Sequence, residues 1–185
     1  MSKDEFRKFV EEKEKESTAT QPFDWKKEKD TYLSFLDALY KDVKDFLKEY
    51  IANGKIIVTE RQIEIDEEGT GKYTANLLEI VIGKHPVQLV PIGTQLIGCK
   101  GRVDMKGRKG VIKIVLVNSR MKSLRDHIQV TINEVGKEPA PAKSQDESTE
   151  PIQWKWRLLT APPISKYHDF NEECFLQALM ELARD

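Results

Sequence analysis

Val111 to Val117 (VIKIVLV) constrains the fold more than any other stretch of the chain. Apart from Lys113 it is apolar on both pleat faces, and a strand of that kind must be covered on both sides. A central position in a sheet is therefore expected. Upstream, Thr94 to Met105 alternates, with Ile97, Cys99, Val103 and Met105 on one parity and Thr94, Lys100, Arg102 and Asp104 on the other. Gly98 and Gly101 interrupt that run and predict a bulge or a tight bend. Between the two strands, Lys106-Gly107-Arg108-Lys109-Gly110 offers glycines that can take the positive φ of a hairpin loop. The whole stretch predicts an antiparallel hairpin.

Strand signals continue on either side of it. Lys55 to Asp66 places Ile57, Ile63 and Ile65 on one parity, and Asp66 to Gly71 turns the chain into a second strand, Tyr73 to Ile82. Val87 to Val90 predicts a short strand, and the prolines around it place that strand at an edge or bend. His127 to Val135 and Ile152 to Thr160 alternate as well, the latter with Trp154, Trp156 and Leu158 on one face.

Long helices are expected only near the ends, while Ser119 to Asp126 (SRMKSLRD) reads as a short helix or a polar connection. From Lys29 to Asn53, Leu33, Leu36, Leu39, Tyr40, Val43, Phe46, Leu47, Tyr50 and Ile51 recur at spacings of three and four, and Asn53-Gly54 supplies a C-terminal stop. Asp169 to Glu172 resembles a capping box, and Phe175, Leu176, Leu179, Met180 and Leu182 give the apolar face of a closing helix. No βαβ alternation appears. The expected fold is α+β: a curved, mainly antiparallel sheet of about six to eight strands, with a long N-terminal and a C-terminal helix packed on it.

Residues 1–22 are charged or flexible in composition and predict a weakly docked segment, so 23–185 is expected to be a single domain. Within it, residues 136–151 (GKEPAPAKSQDESTEP) have almost nothing to bury and predict a mobile insertion. No run approaches the ~20 apolar residues of a membrane helix, and the N-terminus MSKDEFRKF lacks an apolar signal segment, so a cytoplasmic protein is expected. Cys99 and Cys174 lie far apart without metal-ligand neighbours and are expected as buried free thiols.

The net charge of -1 hides an uneven distribution. From Lys84 to Asp126, ten basic residues face only Asp104 and Asp126, which leaves that segment at +8 and the rest of the chain at -9. Either the basic hairpin is neutralised by an acidic helix beside it, or Lys100, Arg102, Lys106, Arg108 and Lys109 form a contact surface for an anion or a partner. Phe, Tyr and Trp are absent from Pro86 to Asp126, which argues against base stacking there.

Catalytic signals are weak. His85, His127 and His168 stand in separate segments without ligand spacing, no GxSxG occurs, and Gly69-Thr70-Gly71-Lys72 lacks the rest of a phosphate-binding loop. Asp66, Glu67 and Glu68 fit a solvated acidic turn. No cofactor and no metal are expected. Three functional classes remain: a non-catalytic binding or accessory protein acting through a protein partner or self-association, which is favoured; a nucleic-acid-binding β domain using the hairpin 100–113; and a small-ligand carrier or enzyme with a pocket in the curved sheet, lined by Trp154 and Trp156.

Overall fold

A computed structural model of the chain describes residue 7 and residues 24–94, 99–120, 153–159 and 166–184. Helix α1 (Trp25–Phe46) begins at Asp24, whose side chain accepts from the Lys27 N–H, and buries Tyr32, Leu36, Leu39, Tyr40 and Val43 along one stripe. Leu47 breaks the helical dihedrals, and a short turn, α2 (Lys48–Ala52), follows. The single helix expected from Lys29 to Asn53 is thus two pieces, ended by Gly54 at φ 67°.

Among the described residues, seven strands then run as a meander: β1 (Ile56–Glu67), β2 (Gly71–Ile82), β3 (His85–Gly93), β4 (Gly101–Gly107), β5 (Gly110–Asn118), β6 (Trp154–Leu159) and β7 (Tyr167–Asp169). They lie in sequence order and every neighbouring pair is antiparallel. Helix α3 (Glu172–Ala183) closes the described chain. The expected α+β class is what the structure shows: an open antiparallel sheet with a helix before and after it. Residues 121–126 of the expected short helix or connection, the expected strand His127–Val135 and residues 136–151 lie outside the described residues, as do nearly all of residues 1–22.

One sheet face carries the core. Ile80, Val87, Leu89, Val103, Met105, Ile114, Leu116 and Trp156 meet the buried stripe of α1 and Phe175, Ala178, Leu179 and Leu182 of α3. Phe46, Phe170 and Phe175 join the helices, with ring centroids 5.7–6.0 Å apart. Buried polar tips are satisfied by backbone: the Tyr32 hydroxyl donates to the Arg102 carbonyl at 2.9 Å, Tyr40 to that of Asn76 at 2.6 Å, and the Trp156 indole N–H to that of Phe35 at 3.0 Å.

Several expectations are corrected. Strand β3 is interior, between β2 and β4, although it contains Pro86 and Pro91. Pro86 precedes the first β4 partner, the Gln88–Lys106 pair, and Pro91 sits beside a register irregularity, so neither removes a needed N–H from a regular ladder. In β1 the inward residues are Ile56 and Val58 at one end and Ile63, Ile65 and Glu67 at the other; four exposed residues, Thr59 to Gln62, separate the two phases and leave Ile57 60% exposed. Gly101 opens β4 instead of bulging it: a Cβ there would strike the Tyr32 ring. The cap of α3 is Asn171, whose side chain accepts from the Cys174 N–H, because Asp169 is still in β7 and pairs with Arg157. Met180 lies off the buried stripe and is exposed. Both cysteines are free but half-buried.

The opposite sheet face is built in cross-strand rows. Arg102 and Arg157 flank Val115 in register, and Asp104 lies between Val90 and Lys113. Arg102 turns along its own strand to grip Asp104 with two bonds, Nε–Oδ1 at 2.6 Å and a second terminal-nitrogen bond at 2.9 Å.

Candidate functional site

A cleft of ≈ 460 Å³ opens where α3 crosses the ends of β5, β6 and β7, a volume within the ~300–1,000 Å³ range of ligand sites. Its apolar walls are Val111 and Ile112 of β5, Leu158 and Leu159 of β6, and Ala178 and Leu182 of α3. Lys109, His168, Gln177 and Glu181 supply the polar groups. Strand alternation explains the two-sided wall: Leu158 points into the core while Leu159, one residue on, points to the other face, and both reach the cleft at the strand end.

The β4–β5 hairpin forms one lip of this cleft. Gly107 and Gly110 are paired, leaving Arg108 and Lys109 as a two-residue tip. Its contact with α3 is tight: the Arg108 N–H donates to the Leu182 carbonyl at 3.1 Å, and a Cβ on Gly107 would collide with Leu182. Helix α3 has no basic residue in its own last turn and is capped by Arg184, and the Arg108 N–H satisfies a carbonyl at this negative end of its dipole.

Of the five cations proposed as a contact surface, the structure divides the set. Lys100 bonds Glu28 of α1 at 3.0 Å and lies 5.0 Å from the Trp154 ring centroid, and Arg102 is held by Asp104. Those two charges are neutralised internally, Lys100 by a single glutamate of α1 and Arg102 by a carboxylate of its own strand; α1 itself, with five lysines and five carboxylates, is not an acidic helix. Lys106, Arg108 and Lys109 are exposed at the hairpin end, joined there by Lys113. Trp156 is buried under α1, edge-on to Tyr32 at 6.5 Å, and Trp154 is half-buried; neither lines the cleft.

The remaining candidates carry little chemistry. Burial pushes the Cys99 thiol above its ordinary value, which disfavours a thiolate nucleophile. Cys174 and His168 both border the cleft, and among the described residues no group of three His, Cys, Asp or Glu side chains could hold a metal. Glu67 is the residue that sequence reasoning misread. It is 8% exposed, ends β1, and its carboxylate accepts from the Tyr73 hydroxyl and the Thr94 N–H, both at 2.6 Å. Gly93 must lack a Cβ for that carboxylate to fit, and its φ of 131° is one that side chains rarely adopt. An acidic turn signal hid it, since Asp66 and Glu68 on either side are solvated.

The cleft itself joins residues about 70 positions apart in the chain, and no periodic pattern announces it. No protein-family model, curated protein or solved structure matches this chain.

Proposed function

We propose that the protein is a non-catalytic binding or accessory protein that acts through a protein partner, and that the partner docks at the cleft between α3 and the ends of β5–β7. The cleft carries this reading. It has an apolar floor, a helix for one wall and a two-residue hairpin tip for the other, and it is open enough to admit a side chain from a protein surface. Nucleic-acid binding has less support, because Lys100 and Arg102 are committed to Glu28 and Asp104.

A photoreactive amino acid at Gln177, on the cleft rim, tests the reading in intact cells against the same group at Glu64, exposed on β1. A discrete protein adduct from position 177 alone, lost when Val111→Asp is added, is the expected result. Equal adducts from both positions, or none from 177, overturn it.

A further inference from the structure

We infer that the cleft receives an acidic-apolar peptide segment of its partner, one bulky apolar side chain entering between α3 and β5–β6 while carboxylates beside it meet Lys106, Lys109 and Lys113. This deepens the docking reading above and rests on it.

Three observations carry the inference. First, the cations near the cleft are unspent. Lys106, Lys109 and Lys113 are exposed and form no ion pair among the described residues, although Lys113 stands in register with Asp104, whose carboxylate Arg102 holds; Lys100, Arg102 and Arg157 of the same sheet are paired. Second, these lysines are interleaved with the apolar wall. Lys109 lines the cleft; Lys106 and Lys113 stand on the sheet face turned away from α3, as register partners of Val111 and Leu159, the two lining residues of that face. Register partners on one face stand ~5 Å apart, so a charge and an apolar contact are within reach of adjacent residues of one peptide. Third, Val111 is 50% exposed amid them. A phosphate backbone uses cations but gains nothing from a Val–Leu surface, so the mixture favours a peptide over a nucleic acid. Glu181 on the α3 wall is the acidic group of the lining, and it disfavours carboxylates on that side; the peptide's acids belong on the hairpin side.

Selection of short random displayed peptides against the full chain tests this, with Val111→Asp and Gln177→Trp as two independent cleft-blocking variants at half-exposed and exposed positions. Enriched peptides should combine Leu, Phe or Trp with neighbouring Asp or Glu and should fail to bind either variant. The double variant Lys109→Glu/Lys113→Glu should weaken a selected peptide roughly tenfold, the sum of two exposed charge contacts, and raised salt should weaken the wild-type complex.

Neutral or basic peptides that are still excluded by both cleft variants would overturn the acidic specificity while leaving the docking site in place. No enrichment, or enrichment indifferent to both variants, would remove the docking site as well. Acidic peptides without an apolar residue, displaced by an oligouridylate, would show a plain polyanion surface and overturn the inference in favour of phosphate contact.

Discussion

Tyr32 and Tyr40 are buried phenols whose ionisation works against the fold at alkaline pH. Burial is the main cause that pushes both phenols above their ordinary value, with nearby negative charge adding to it, Glu67 and Asp104 at Tyr32 and Glu60 at Tyr40. Each donates its proton to a backbone carbonyl, a bond that the phenolate would forfeit. The sign follows from linkage. Below about pH 10 both states keep their protons and the contribution is whole; above it the unfolded chain ionises while the native one does not, so stability falls as pH rises. The urea midpoint should therefore decline from pH ~10 upward, and Tyr40→Phe should shallow that decline. A midpoint level through the alkaline range would mean that the phenols ionise in place. Glu67 makes the complementary case: its sequence context says turn, and its burial against Tyr73 and Thr94 was legible in no local pattern, because the partner arrives 27 residues later.

At the scale of elements, Trp156 is the pin between sheet and helix. Its ring is 9% exposed and its N–H reaches the Phe35 carbonyl of α1. Truncation to alanine removes a core aromatic and a backbone bond, and should cost about 3–5 kcal/mol. A thermal melt of Trp156→Ala should fall by on the order of 10 °C; an unshifted melt would place the indole outside the core. Alternation in β6 announced which face Trp156 takes, since a period of two needs only local sequence. It could not announce the phase change in β1, where Val58 and Ile63 both turn inward across four exposed residues, nor that Pro86 and Pro91 fit an interior strand. Those outcomes depend on what lies across the ladder.

The whole molecule decides the charge question. An excess of +8 from Lys84 to Asp126 is large in sequence, but the fold places Glu28 on Lys100 and Asp104 on Arg102. What is left is a cluster of lysines at one end of the sheet, with no aromatic platform on the hairpin. Titration with labelled single- and double-stranded DNA and RNA at physiological salt should show no sub-micromolar binding, and any weaker binding should fall steeply with added salt. Tight binding abolished by neutralising Arg108 and Lys109 would reverse the preference between a protein partner and a nucleic acid.

Composition and periodicity were enough to establish the α+β class, the hairpins, the helix that precedes the sheet and the one that follows it, because each depends on burying one stripe or one pleat face, a condition written over a few consecutive residues. The cleft, the internal pairing of Lys100 and Arg102, and the buried carboxylate of Glu67 were decided only when distant segments met. Each is a contact between elements, and the free energy of such a contact depends on which partner the meander places opposite, a fact that no single segment contains.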